Sequence, residues 1–408
     1  SALLGDHGPY LLGLGSIARN GGFKISNLKR YGGHSDAKIQ LGPGDIYVSL
    51  KDVTQSADLL GAVARVPPSI ESGRLTQDTV KLVFKERNAP MDYIYWLLRT
   101  PEYREYCRAH ATGTTNLGLS RDDFFAFPTP TFTPSRALIV DVLQALDDKI
   151  DLNRQMNETL EAIAQEIFKD WFLDFGPTWA KMKGREPYLA PQMWALFPDR
   201  LDKEEKPLGW EPVTLSAVSD LNSESWSAQN HPVDLEYVDL ANTKWGAVEA
   251  TEVHSWDAAP SRARRVLRSG DTIVGTVRPG NGSYALIDQN GLTGSTGFAV
   301  LRPKTPTYRE LIYCAVTATN NIERLSHLAD GAAYPAVRPD VVADTPIILA
   351  PSAALNAFST TCAPLLDRCE TNKRENRILA ATRDYLLPKL MSGEIRVKDA
   401  EKLAEAAL

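Results

Sequence analysis

The chain has only four cysteines in 408 residues, Cys107, Cys314, Cys362 and Cys369, and no Cys-x-x-Cys pair. That leaves neither a disulfide framework nor a zinc ribbon and fits a reducing cytoplasm. No apolar run approaches the roughly 20 residues a membrane helix needs. The opening Ser1-Ala-Leu-Leu-Gly-Asp6 has no signal-peptide architecture, so a cytoplasmic location without a membrane partner is expected. Catalytic signatures are equally scarce. The Gly-rich stretch Arg278-Pro-Gly280-Asn-Gly282 lacks the lysine and following helix of a phosphate-binding loop. Pro67-Pro68 follows Val66 and precedes Ser69, which is not the Asn/Asp-Pro-Pro-aromatic motif of amino-methylation on a base. No Gly-x-Gly-x-x-Gly follows a strand. The six histidines (His7, His34, His110, His231, His254, His327) are scattered, without metal-ligand spacing. Asp122-Asp123 and Asp147-Asp148 read as solvated helix or turn carboxylates. An enzyme in its own right, or a chain holding its own cofactor or metal, is not expected.

What is present is a globular composition, 43% hydrophobic and 24% charged, arranged twice. Leu41-Gly-Pro-Gly44-Asp45-Ile-Tyr-Val48 returns as Leu267-Arg-Ser-Gly270-Asp271-Thr-Ile-Val274. Tyr95 returns as Tyr313 and His110 as His327. Thr112-Gly113 and Pro134-Ser135 return as Asp330-Gly331 and Pro351-Ser352. Offsets of roughly 217–226 residues are far too long for a solenoid repeat; they describe a duplicated globular domain, each copy followed by a helix. A chain built this way presents two similar surfaces and suits a ligand with two similar sites along its length.

Each copy ends in a heptad seam. In the first, Ser135 reads as an N-cap, and the seam is Ile139, Leu143, Leu146, Ile150, Asn153, Asn157, Leu160, Ala164, Ile167 and Trp171. In the second it is Phe358, Cys362, Leu365, Cys369, Asn372, Asn376, Leu379, Arg383, Leu386 and Leu390. Both place two asparagines at the centre. Matching seams in one chain should pair, and a domain leading into each helix makes the pair antiparallel. Asn153 then faces Asn376 and Asn157 faces Asn372, fixing register at some cost in stability. The alternative is two unrelated surface helices, each packed on its own domain. At 1.5 Å per residue the spacer is roughly 50 Å long.

The expected fold class is therefore α+β, with two similar globular domains, an antiparallel two-helix coiled coil and a pseudo-two-fold repeat. The expected boundaries are a first domain over 1–134, a spacer helix over 135–175, a connector over 176–206, a second domain over 207–350, a second spacer helix over 351–392 and a tail over 393–408. Met91–His110 reads as one strong helix. The segment Gly209–Trp226 has no counterpart in the first half, so the natural protein is expected to carry a further stretch ahead of Ser1.

Net charge is −6, which at first argues against nucleic acid. Its distribution weakens that objection, because residues 1–134 carry 15 Lys+Arg against 13 Asp+Glu, a balance of +2. Residues 205–350 carry 12 against 17, or −5, yet Arg262, Arg264, Arg265 and Arg268 fall within seven residues. Groove reading calls for bidentate donors, amides and hydroxyls near a positive surface. Arg278, Asn281, Ser283 and Tyr284 offer these on one turn, suited to guanine, adenine and phosphate respectively, with Arg262, Arg264 and Arg265 on the backbone. In the first half the candidates are Lys29, Arg30 and Tyr31, then Lys51, then Thr114, Thr115 and Asn116, whose counterpart turn carries Tyr334. An ordinary hairpin turn and a merely solvated arginine face are the bland alternatives. His110 and His327 read as packing residues at helix ends. Phe168, Trp171, Phe172 and Phe175 form an aromatic cluster; Phe168, Phe172 and Phe175 are the candidates for a partner surface.

The segments 146–175, 180–201, 270–287 and 381–397, among them LDDKIDLNRQMNETLEAIAQEIFKDWFLDF and ATRDYLLPKLMSGEIRV, resemble conserved regions of the specificity subunits of type I restriction-modification systems. The resemblance spans nearly the whole chain, the first domain less distinctively. It implies two target-recognition domains, each reading half of a split, asymmetric double-stranded DNA sequence, with no catalysis in the subunit itself. It also implies two methyltransferase (modification) subunits and an ATP-dependent restriction subunit as partners, with S-adenosylmethionine, ATP and Mg on those partners. The alternative is a bivalent coiled-coil scaffolding adaptor without DNA specificity, or a stand-alone methyltransferase with divergent motifs.

Overall fold

The computed structural model describes residues 4–19, 21–25, 28–54, 56–86, 88–114, 116–331 and 334–405. The chain is a mixed helix–sheet protein. It divides into two compact units, Ser1–Asp151 with Glu375–Leu408, and Leu152–Arg374. Both divisions fall inside the long helices Pro134–Phe168 and Ser352–Ser392.

In the first unit, strand Leu4–Leu12 runs parallel to Gly73–Leu75 and antiparallel to Arg30–Tyr31, and Gln40–Leu41 closes the sheet. A second sheet has Ile46–Ser49 between Val63–Arg65 and Thr79–Lys81. Ile46–Ser49 is buried on both faces, as its uninterrupted Ile-Tyr-Val run demands. Leu12, Tyr47, Ala64 and Leu75 fill the space beneath.

The stretch expected as one helix over Met91–His110 is two, Met91–Leu97 and Pro101–Ala109. Thr100-Pro101 divides it. Thr100 is extended ahead of the proline, and its hydroxyl accepts from the Tyr103 amide as an N-cap. The long helix opens at Pro134 rather than behind Ser135, because proline loses nothing at a first helical position.

The second unit repeats this strand order. Asp234–Val238 runs parallel to Leu292–Ser295 and antiparallel to Glu252–Ser255, and Ala263–Val266 closes the sheet. Thr272–Gly275 lies between Tyr284–Leu286 and Phe298–Pro303. Two helices, Arg309–Thr317 and Thr319–His327, follow as in the first unit. Five strands have no counterpart among the described residues of the first unit: Glu211–Thr214 pairs with Pro346–Leu349, Thr243–Lys244 pairs with Ala247–Val248, and Ser219–Leu221 pairs with Phe298–Pro303.

Within each unit the two long helices pack together with residue numbers running in opposite senses. In the first unit Leu143, Leu146 and Ile150 share a core with Leu379, Leu386 and Leu390. There Asn376 Nδ2 donates to the Ile150 carbonyl at 3.3 Å. Arg383, at a seam position, binds the Asp147 carboxylate, which Arg99 also holds at 2.7 Å. Burial would raise the Asp147 carboxyl, but the two guanidinium groups beside it hold it below the ordinary range.

In the second unit Asn372 Nδ2 donates to Asn157 Oδ1 at 2.8 Å, and Asn157 Nδ2 donates to the Cys369 carbonyl at 3.3 Å. Asn153 is fully buried and Leu160 partly so. The seam departs from strict spacing at two places. Leu366 is buried and Leu365 only partly buried, and Phe168 is buried and Ile167 only partly, since an unsupercoiled 3.6-residue turn drifts away from a 3.5-residue repeat.

Phe168, Trp171 and Phe172 meet Phe358. Phe168 and Phe172 are 3% and 2% exposed. They are core residues rather than a partner surface: an aromatic ring of this size finds more apolar contact in the unit than on its outside. Phe175, in the left-handed region with φ of 52°, is only partly buried, against Trp210.

Candidate nucleic-acid interface

The turn at Arg278–Ser283 follows the buried strand Thr272–Gly275, which is why the chain reverses there. Arg278 has φ of 49° and Gly282 φ of 66°. A left-handed backbone at a non-glycine residue costs about 1–3 kcal/mol and persists only where its surroundings over-determine it. Those surroundings are two further loops. The Arg278 amide donates to the Pro335 carbonyl at 2.7 Å, and Val277 bridges Ala336. The Trp245 amide, itself at φ of 45°, donates to the Gly282 carbonyl at 2.6 Å. A Cβ at Gly282 would come within 2.5 Å of the Trp245 indole, so only glycine admits this contact.

Arg278 and Asn281 are exposed on this turn. The Arg278 guanidinium stands 4.9 Å from the ring centroid of Tyr334, which is 72% exposed. Two neighbours do not fit their expected roles. Ser283 is buried, accepting from Lys244 Nζ at 2.9 Å and donating to the Leu240 carbonyl, so its hydroxyl is committed inside and does not face a phosphate. Tyr284 is half-buried between Trp245 and Tyr313, and burial pushes its phenol up to about 12. The turn therefore presents Arg278 and Asn281 and anchors itself through Ser283 and Tyr284.

The arginine strand separates similarly. Arg262 is exposed, and its Nε donates to Tyr237 Oη at 2.9 Å. Arg264 lies 4.3 Å over the Trp256 ring, on which His231 also stacks at 4.1 Å. Arg265 is half-buried, bonded to Ser225 Oγ at 3.2 Å, and burial lowers its guanidinium. Arg268 is occupied by Glu224 at 2.8 Å. Arg262 is an exposed cation of this group and Arg264 is half-buried over Trp256, while Arg265 is half-buried against Ser225 and Arg268 is paired with Glu224.

In the first unit Lys29 is exposed. Arg30 lies 4.0 Å over Tyr10 and donates to its hydroxyl, and Arg74 lies 4.2 Å over Tyr31. Tyr10 and Arg74 thus join Lys29, Arg30 and Tyr31 in a basic-aromatic face that sequence spacing did not reveal. Lys51 pairs with Asp78 at 3.6 Å. Thr114 and Asn116 are exposed on a turn at Gly113, φ of 98°, closed by the Thr112–Gly118 bridge. Its counterpart turn is closed by Asp330–Ala336. Thr115 lies outside the described residues. His110 stacks on Tyr106 at 4.0 Å, a packing contact on the helix surface.

One buried polar cluster lies against the Trp245-Gly246 hairpin. Lys373 Nζ donates to Glu161 at 3.1 Å, to Glu370 at 2.8 Å and to the Gly246 carbonyl at 2.8 Å. Burial alone would lower this ammonium, but Glu370 and Glu161 hold it up. It ties the Trp245-Gly246 hairpin to the long helices of its unit. Long sequence separation hid it, although Trp245-Gly246 itself signals a turn.

By fold and surface this is a mixed helix–sheet protein that offers basic and aromatic side chains on loops. Among the described residues no group of three or more His, Cys, Asp or Glu is set to hold a metal ion, and no helix is long and apolar enough to cross a membrane. No family model matches the chain. It is similar to the type I restriction enzyme MjaIX specificity subunit of Methanocaldococcus jannaschii, at 25% identity over 316 residues covering 76% of this chain and 70% of that one. It is also similar to the type I restriction enzyme HindI specificity subunit of Haemophilus influenzae, at 24% identity, covering 78% of this chain and 81% of that one. The crystal structure of a type I restriction-modification system S subunit from M. genitalium shares the fold. Its TM-score is 0.51 at 16% identity, over 96% of this chain and 90% of that one. The resemblance to type I specificity subunits therefore holds along most of the chain, and the reading of a non-catalytic specificity subunit agrees with relatives named for specificity.

Proposed function

We propose that this chain is the sequence-reading subunit of a type I restriction-modification assembly. Residues 1–134 and 207–350 act as two target-recognition domains, each reading one half of a bipartite, asymmetric double-stranded DNA target. The paired helices over 135–175 and 351–392 form an antiparallel spacer between the two readings. The single observation that carries this is the repeated strand order, with its parallel central pair, followed in each copy by a long helix with asparagines at its seam. Arg278 and Asn281 in the second copy, with Arg262 and Arg264 on the phosphate backbone, provide the donor types of groove reading. Lys29, Arg30, Tyr31, Thr114 and Asn116 do so in the first.

Bond-making belongs to partners. Two methyltransferase subunits carry S-adenosylmethionine and take the target adenine out of the stack, and an ATP-dependent restriction subunit uses ATP and Mg. The test is selection of bound duplexes from a random pool in the presence of the modification subunits. A two-part motif is expected, and exchanging residues 207–350 for those of a relative should change one half of it only. A pool that emerges without any motif would identify a scaffolding adaptor and refute this reading.

A further inference from the structure

The Arg278 turn is braced from both ends by aromatic residues. At one end the Arg278 amide is tied to the Pro335 carbonyl at 2.7 Å, and its guanidinium stands 4.9 Å from the Tyr334 centroid. At the other, Trp245 covers Gly282, and its amide donates to the Gly282 carbonyl at 2.6 Å. Tyr334 is 72% exposed and Trp245 44%. Trp179, Tyr188 and Tyr385 are comparably open, at 40%, 52% and 54%; what sets Tyr334 apart is its place against the Arg278 guanidinium. Trp245 and Arg278 are both held in the left-handed region, with φ of 45° and 49°.

An arginine that reads guanine must present its fork in the plane of the base edge. A long side chain on a free surface spends most of its time elsewhere. A ring against the guanidinium narrows that freedom.

We infer that Tyr334 is a positioning residue for Arg278. Its ring orients the guanidinium for base reading, and Trp245 sets the turn that carries it. This rests on the DNA-reading function proposed above and deepens it. The choice of base in one half of the target depends on Tyr334, a residue that itself contributes little to phosphate binding.

The test uses the full chain with its modification subunits and duplexes carrying the selected motif. Each guanine in the half read by residues 207–350 is substituted singly. Discrimination is the ratio of affinities for the selected and substituted duplexes. Arg278→Ala should reduce discrimination at one guanine by about 5- to 150-fold, the range for loss of one bidentate contact. Tyr334→Leu should reduce it at that same guanine by about 2- to 5-fold, with the salt slope and affinity for random duplex unchanged. Tyr334→Phe should restore it. In the Arg278→Ala background Tyr334→Leu should change nothing further.

The proposal is overturned if Tyr334→Leu leaves discrimination intact, lowers it at every position alike, or costs as much without Arg278. A wild-type chain that shows no discrimination would instead sink the DNA-reading function itself, and the inference with it. Because Tyr334 is exposed, its variants should melt like the wild type.

Discussion

Replacing Asp147 with asparagine removes one negative charge from between two guanidinium groups without changing side-chain volume. Arg99 is 3% exposed at its side chain, Arg383 14% and Asp147 20%. Removing one partner of a buried pair costs about 3–5 kcal/mol, because the other charge stays buried unpaired. Two features of the structure reduce that. Asp147 is partly wetted, and Arg99 keeps its Tyr95 hydroxyl at 3.2 Å and its place over Trp96 at 4.4 Å. The expected loss is about 2–4 kcal/mol, or roughly 4–16 °C in the melting temperature of a unit of this size. Calorimetry and chemical denaturation at pH 7 measure it.

The pH dependence has a definite sign. The folded carboxyl lies below its unfolded value near 3.9. Its stabilisation is therefore fully present above that pH and is lost as pH falls through the folded value. The gap between wild type and Asp147→Asn should close as pH is lowered through the acid range. Arg383→Met together with Asp147→Asn should cost at least 1 kcal/mol less than the two single changes summed. A loss under about 0.5 kcal/mol, or strict additivity, would refute the account.

Asn157→Leu alone strands the Asn372 amide, which now donates to Asn157 Oδ1, and should cost about 1–3 kcal/mol by denaturant titration. Changing both asparagines to leucine should recover that loss. Lys373→Met leaves the buried Glu370 carboxyl, which burial already raises, without the cation that holds it down. A carboxyl raised above its unfolded value costs stability as pH rises through its folded value, so the variant's melting temperature relative to wild type should fall with rising pH. Phe172→Ala should destabilise by about 3–5 kcal/mol in calorimetry of the chain without any partner. A purely partner-facing ring would leave that melting temperature unchanged.

The duplication, the two long helices and the order of their seams are legible in the residues alone. These signals are local or periodic: a heptad run from Ile139 to Trp171 states its own period, and Gly44-Asp45 against Gly270-Asp271 states the repeat. The helix break at Thr100-Pro101 was equally local, yet apolar periodicity masked it, since the capping hydroxyl and the proline act at a single position. Asparagine pairing at Asn157 and Asn372 follows from matching seams. Leu366 in place of Leu365 does not, because the drift of a 3.6-residue turn accumulates with distance.

Side-chain commitment is what only the tertiary structure decided. Composition marks Arg262, Arg264, Arg265 and Arg268 alike as cations, whereas the fold gives Arg268 to Glu224, half-buries Arg265, sets Arg264 over Trp256 and leaves Arg262 exposed. It likewise turns Ser283 inward and puts Tyr334 against Arg278 across more than fifty residues of chain. A residue's own chemistry determines what it is able to bind. Whether it faces water or a neighbour depends on contacts between distant segments, and those arise only when the loops at Trp245, Arg278 and Tyr334 close on one another.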